Sequence, residues 1–313
     1  MTENSASEIL ATLPAHINHA IKPWVEKTPN HAALVESSGS WTYAEFDAVI
    51  AQTQEWLSRS GIRAGDRVMI VGENCRAFAA ILFAIAGIDA WPVPVNAQLS
   101  EREIDGIREH SGARRIVYAG ASSHTSAHAK RDEATADGPT ELGPAALGRL
   151  HEGVEPEAVD SYVANRVVAL IYTSGTTGKP KGVMLTHRNV LFTAAVAAEI
   201  RSLTPDDRLF CALPLSHVVG LSIILLGTLM SGATVYLAGR FDPMSARVAL
   251  DREGITIMLG VPAMFAFWML ASTPSGDAYT ASELTEMARN AGFKTATTRP
   301  LAPTPQTLIA FAS

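Results

Sequence analysis

Val167-Val168-Ala169-Leu170-Ile171-Tyr172-Thr173-Ser174-Gly175-Thr176-Thr177-Gly178-Lys179-Pro180-Lys181-Gly182 is the stretch that decides the fold. Its first five residues are apolar and largely β-branched, the signature of a buried strand. The remainder of the stretch is dense in glycine, hydroxyls and lysine. Gly175, Gly178 and Gly182 permit close approach of the backbone to a ligand. Successive N–H groups in such a loop can form an anion-binding nest, with hydroxyl donors and two lysines adding to it. A polar surface loop is the ordinary reading of a Ser/Thr/Gly cluster. Two lysines spaced among small residues, just past a buried-type strand, point instead to phosphate.

The run does not fit the commonest phosphate-loop pattern. A Walker A loop needs Gly, four residues, then Gly-Lys-Ser/Thr. Here Thr173 stands where the first glycine belongs, and Pro180 follows Lys179 in place of the Mg-binding hydroxyl. From Thr173 to Gly182 the sequence resembles the phosphate-loop signature of the adenylate-forming superfamily, which includes acyl-CoA synthetases, peptide-synthetase adenylation domains and luciferases. The resemblance implies that Thr173, Ser174, Gly175, Thr176, Thr177, Gly178, Lys179 and Lys181 bind nucleotide phosphate, with Lys181 ranked above Lys179. It also implies ATP, Mg2+ and coenzyme A as the small molecules of the reaction.

The bulk properties agree with an enzyme of that kind. The chain has 313 residues, 47% hydrophobic and 18% charged, enough for a substantial core. A net charge of −6 gives no electrostatic case for nucleic acid. Cys75 and Cys211 lie far apart in apolar surroundings and read as reduced core residues. The N-terminus lacks the basic-then-apolar order of a signal peptide, so a cytoplasmic location is expected. Leu221 to Ala238 carries no charge, but Gly227, Ser231, Gly232 and Thr234 interrupt it. A buried helix followed by a strand at Thr234–Leu237 is expected there, and no membrane span.

Upstream of the loop, helix and strand signals alternate. Thr42 and Glu45 form a capping box ahead of Phe46, Val49, Ile50 and Leu57. Gly61 ends that helix, Gly65-Asp66 turns, and Arg67–Val71 reads as a buried strand. Ala77–Ala86 is an apolar helix, a strand follows around Ala90–Val95, and Ser100 with Glu103 caps the next helix. Gly112 stops it before the strand Arg115–Tyr118. This rhythm predicts an α/β fold of βαβ subdomains with parallel sheets and helices on both faces. Trp41-Thr42-Tyr43, Gly65-Asp66-Arg67-Val68 and Ala90-Trp91-Pro92-Val93-Pro94-Val95-Asn96 resemble, in the same order, the opening of an acyl-CoA synthetase. Residues 121–160 show little periodicity and read as a variable, exposed connection, with His124, His128, Lys130 and Arg131 on a solvated surface.

Downstream, Thr186-His187-Arg188-Asn189 opens a helix, and His187 is either functional or a structural residue at the helix start. Pro214-Leu215-Ser216-His217-Val218-Val219-Gly220 resembles the second diagnostic motif of acyl-CoA synthetases. A histidine in an apolar run is ordinarily a satisfied core residue. The resemblance implies that His217 instead lines the pocket for a small carboxylic acid.

Past about residue 265 the pattern fails. The aromatic-Gly-x-Thr-Glu motif, the Thr-Gly-Asp segment and the adenylation lysine that the family carries later do not occur in these 313 residues. No catalytic residue is therefore assignable, and no metal ligand. Thr280 and Glu283 form a capping box for a helix ended by Gly292, and two strands flanking Pro303-Thr304-Pro305 come after it. This tail resembles the C-terminal end of a SAM-dependent O-methyltransferase, but the cofactor loop of that family is missing. The expected division is 1–265 as a partial adenylate-forming N-terminal domain and 266–313 as a foreign or divergent tail. The expected function is an ATP-dependent acid–CoA ligase, inactive as this chain alone, or else a non-catalytic remnant that binds nucleotide weakly.

Overall fold

The computed structural model describes residues 3–173, 180–261, 264, 281–290, 295–300 and 307–312. The chain divides into two units, Met1–Phe241 with Ala249–Leu259, and Asp242–Val248 with Gly260–Ser313.

In chain order, the first unit opens with α1 (Glu3–Thr12), a 3-10 turn at Ile17–Ala20, α2 (Lys22–Lys27), and the strands β1 (Ala32–Glu36) and β2 (Gly39–Thr42). Helix α3 (Tyr43–Arg59), β3 (Arg67–Gly72), α4 (Arg76–Gly87), β4 (Trp91–Asn96), α5 (Glu101–Ser111) and β5 (Arg115–Ala119) are next. Then come α6 (Ser123–Arg131), β6 (Ala145–Leu147), β7 (Val167–Thr173), β8 (Lys181–Thr186), α7 (His187–Arg201) and β9 (Arg208–Cys211). A π-helical segment at Val219–Leu226 runs into α8 (Gly227–Met230), followed by β10 (Thr234–Leu237). Helix α9 (Pro243–Glu253) has residues in both units, and β11 (Ile257–Met258) completes the first.

Two sheets form the frame of this unit. One has the order β4-β3-β5-β6, parallel except for β6. The other has the order β11-β9-β10-β1-β2, parallel except for β2. Alternation along β3 explains how the first sheet is covered on both sides. Val68 and Ile70 enter the core containing α3 and α4, while Met69 and Val71 enter a second core with Ile104 and Ile107 of α5. Every residue from Ala77 to Ala86 of α4 is buried. A helix apolar on all sides must be enclosed, and α4 touches both β3 of one sheet and β1 of the other. The expected α/β fold with parallel βαβ units is what the structure shows.

Local signals set the element boundaries. Both expected capping boxes form, with Thr42 and Glu45 at α3 and Ser100 and Glu103 at α5. The turn residue Asp66 is only 1% exposed, accepts the Arg63 N–H at 2.7 Å and pairs with Arg114 at 2.7 Å. It ties the α3–β3 turn to the start of β5. Cys211 is buried and Cys75 half-buried, both as free thiols. Cys75 accepts the Phe78 N–H at the start of α4, and burial pushes its thiol up to about 12.

Residues 121–160 contain more structure than an exposed connection. Ser122 caps α6, His128 is buried with Nε2 3.0 Å from the Ala97 carbonyl, and β6 pairs with β5. The stretch after His217 folds as expected, a buried helical segment leading to β10. None of the described helices is long and apolar enough to cross a membrane.

In the second unit, α10 (Ala281–Asn290) precedes the antiparallel pair β12 (Thr295–Pro300) and β13 (Thr307–Ala312). The expected helix and two strands of the tail are present. Thr280, Gly292 and Pro303-Thr304-Pro305 lie outside the described residues.

Candidate nucleotide site

Strands β7 and β8, which flank the glycine- and lysine-rich loop, form an antiparallel hairpin. In β7, Val168, Ala169, Leu170 and Ile171 are buried, as their apolar character requires. Register runs from Val167 opposite Thr186 to Tyr172 opposite Gly182 and Thr173 opposite Lys181. The two strands therefore end level, with Thr173 and Lys181 side by side at the mouth of the glycine- and lysine-rich loop. Both are exposed, and Lys181 makes no ion pair with any described residue. Ser174, Gly175, Thr176, Thr177, Gly178 and Lys179 lie outside the described residues.

Tyr172 anchors the loop end of the hairpin, one residue before Thr173. Its ring packs on the core beneath α5, and its hydroxyl lies 2.8 Å from Nδ1 of His110 on that helix. Burial holds the phenol above its ordinary range. Gly182 packs closely here, since a Cβ would stand 3.0 Å from both Leu170 and the Tyr172 ring and would press those side chains aside by a few tenths of an ångström. The hairpin mouth is thus placed by packing behind it and offers a hydroxyl and a cation that pairs with no acid among the described residues. That donor set fits a polyphosphate. Among the described residues, no group of three or more His, Cys, Asp or Glu is placed to hold a metal ion.

Strand β8 leads directly into α7. Thr186 and Asn189 form a reciprocal cap, with the Asn189 N–H to Thr186 Oγ1 at 3.3 Å and the Thr186 N–H to Asn189 Oδ1 at 3.0 Å. The first residue of the helix resolves the two readings of His187. It is 1% exposed, its Nδ1 accepts the Ile17 N–H at 3.2 Å, and its ring lies 4.0 Å from that of His16. His16 in turn accepts the Asn18 N–H on Nδ1, with Nε2 3.1 Å from the Ala86 carbonyl. Burial drives the His187 pKa down to about 3 and lowers that of His16. His187 is a neutral structural histidine that fastens the turn at Ile17–Ala20 to the start of α7.

His217 belongs to a different element, the connection after β9. It is exposed, unlike a satisfied core histidine. Its Nδ1 accepts the Val219 N–H at 3.3 Å, so Nε2 is the donor of the neutral ring. Its backbone N–H donates to Pro214 O at 3.0 Å, and its carbonyl accepts from Leu221 at 3.0 Å, opening the π-helical segment. Such segments recur at functional sites. Gly220 explains the glycine of the motif. A Cβ there would stand 2.2 Å from the Pro214 carbonyl oxygen. The structure brings Thr173 and Lys181 together on one hairpin and places His217 separately.

Sequence reasoning missed Asn74, in the turn Gly72-Glu73-Asn74-Cys75 after β3. Its side chain donates to Leu213 O at 2.9 Å and Cys211 O at 3.3 Å, and accepts from the Leu215 N–H at 2.8 Å. The available signal was a polar residue closing an apolar strand at its C-terminal end. It also missed Tyr172 with His110, whose 62-residue separation has no local pattern.

Known proteins share this sequence pattern and fold. A family model described as AMP-binding enzyme matches residues 21–304. Feruloyl-CoA synthase of an Amycolatopsis species is 37% identical over 237 residues, covering 75% of this chain and 46% of that protein. A putative acyl-CoA synthetase of Bacillus subtilis is 30% identical over 301 residues, covering 86% of this chain and 54% of that protein. The chain thus spans about half the length of the curated relatives it matches. Among solved structures, Bacillus subtilis O-succinylbenzoate coenzyme A synthetase in complex with AMP superimposes with a TM-score of 0.67 at 26% identity, covering 92% of this chain and 76% of that one. The inhibitor-bound N-terminal domain of FACL13 from Mycobacterium tuberculosis shares the fold, with a TM-score of 0.68 at 24% identity, covering 91% and 76%. Loop sequence, sheet order and a family match spanning most of its length together show that this chain belongs to the AMP-binding enzyme family.

Proposed function

We propose that this chain forms the nucleotide- and acid-binding part of an ATP-dependent acid–CoA ligase. In that reaction a carboxylate oxygen attacks the α-phosphate of ATP and pyrophosphate leaves. The coenzyme A thiol then displaces AMP from the acyl-adenylate to give the thioester. Such a site supplies no covalent nucleophile, so its contribution is positioning and charge stabilisation.

The observation that carries this reading is the level ending of β7 and β8, which sets Thr173 and Lys181 together at the loop mouth. Thr173, Ser174, Thr176, Thr177 and Lys181 grip the β- and γ-phosphates and the departing pyrophosphate, with Lys179 contributing less. Gly175 and Gly178 let the loop backbone approach the phosphates. His217 lines the acid pocket and presents Nε2–H toward the carboxylate. Mg2+ supplies charge neutralisation on the phosphates when bound, and residues of this chain are given no part in holding it. ATP and coenzyme A as co-substrates suit a reaction in the cytoplasm. The acid is a small carboxylate, aromatic acids such as ferulate being the first to try given the feruloyl-CoA synthase relative.

The 313 residues contain none of the motifs that supply the ribose aspartate, the Mg-binding glutamate or the adenylation lysine in the family. We therefore propose that residues 1–265 bind substrates without turning them over, and that 266–313 are a divergent tail. The test is acid-dependent ATP–pyrophosphate exchange with a panel of aromatic and aliphatic acids. The expected result is background exchange together with measurable ATP binding. Robust exchange by this chain alone would show it to be a complete catalyst, and absence of ATP binding would sink the nucleotide site.

A further inference from the structure

Asn74 is a buried polar residue with every kind of hydrogen-bonding group engaged, and it leads to His217. Asn74 is 7% exposed. An amide side chain offers two N–H donors and an acceptor oxygen. Here both kinds are committed to one short stretch of backbone, through Cys211 O, Leu213 O and the Leu215 N–H. Strand β9 ends at Cys211, so Leu213 and Leu215 lie beyond the ladder that would otherwise satisfy them. The Asn74 amide takes the place of a neighbouring strand.

What it holds is the base of the His217 turn. Between the two clamped residues sits Pro214, whose carbonyl accepts the His217 N–H at 3.0 Å. The same carbonyl lies against Gly220 so closely that no side chain fits there. Fixing Leu213 and Leu215 therefore fixes Pro214, and Pro214 fixes both ends of the turn that carries the imidazole. Asn74 reaches across from the turn after β3, which belongs to the other sheet. Both β3 and β9 end at this point, and ligands of open parallel sheets bind beyond the C-terminal ends of the strands.

We propose that Asn74 is a positioning residue for the acid pocket. Its amide locks the Leu213–Leu215 backbone and sets where His217 presents its ring. This rests on the reading of His217 as the acid-facing residue, although the hold of Asn74 on His217 can be measured without any ligand.

The experiment uses the full 313-residue chain with Asn74→Ala and Asn74→Asp. The aspartate is nearly isosteric and keeps the acceptor while removing both donors, so it serves where the alanine variant is too unstable. Amide hydrogen exchange at Leu215 and the His217 side-chain NMR resonances are recorded beside those of the β7–β8 hairpin. In Asn74→Ala, Leu215 is expected to exchange at least tenfold faster and the His217 resonances to move. Hairpin amides and ATP affinity should stay within twofold of the unchanged chain. Asn74→Asp should retain more of the Leu215 protection but still move His217. Unmoved His217 resonances with unchanged Leu215 exchange in a folded variant would overturn the proposal. So would an equal loss of protection across both sheets, which marks a general packing role. The acid-pocket reading fails separately. If ferulate perturbs the His217 resonances neither with nor without ATP, that reading falls, whatever Asn74 does to the ring.

Discussion

His187 shows how one side chain can carry a long-range join. Its neutral Nδ1 is needed as the acceptor for Ile17, and burial keeps the folded pKa at about 3 against an ordinary 6.5. Below pH 6.5 the unfolded chain binds a proton that the folded chain refuses, so stability falls with pH from about 6.5 to about 3. The slope from this group is roughly 1.4 kcal/mol per pH unit. The neighbouring groups are His16, His19, Arg166 and Asp89, the last paired with Arg166 at 2.8 Å. Urea melts across this range should show a shallower acid loss in His187→Phe, at a cost of roughly 1–3 kcal/mol at pH 7 for the orphaned Ile17 N–H. An unchanged acid slope would remove His187 from the account. A second residue-scale test is Gly220→Ala, expected to destabilise by roughly 1–3 kcal/mol because backbone must move to admit the methyl. A substitution neutral by thermal melt would mean that the turn is looser than its close contact requires. A structural role at the helix start was one of the two readings His187 allowed, but its partner Ile17 was not legible, nor was Asn74 at all, since each acts on backbone more than a hundred residues away.

Elements were legible where their signals are local. The α3 cap needs only Thr42 and Glu45, and the all-apolar run Ala77–Ala86 announces an enclosed helix by itself. Thr42→Ala should cost about 1 kcal/mol, since it removes the acceptor of the Glu45 N–H. A change below a few tenths in a denaturant melt would show that the cap contributes nothing. Helix α6 escaped notice for a physical reason. Only Thr125 and His128 of its nine residues are buried, so it has no apolar stripe to read. Strands β1, β2 and β6 escaped for another, being segments of only three to five residues, too short to show a clear alternation. The β7–β8 hairpin had its strand and loop visible in sequence. Its register, which sets Thr173 beside Lys181, was not.

At the scale of the molecule, two largely parallel sheets share the enclosed helix α4, and the C-terminal ends of β3 and β9 converge where Asn74 holds the His217 turn. The order of motifs along the chain makes the family readable from sequence. The contacts that join distant segments, such as Asn74 with Leu213 and Leu215, leave no such trace. The central claim is that the β7–β8 hairpin holds the triphosphate of ATP through its loop and Lys181. Calorimetric titration of ATP into the chain and into Lys181→Ala tests it most directly. A charged hydrogen bond of roughly 1.5–3 kcal/mol corresponds to about a tenfold to hundredfold change in affinity. Saturable ATP binding, weakened at least tenfold in Lys181→Ala with the fold intact by circular dichroism, is the predicted result. Equal ATP affinity in the two folded proteins would contradict it.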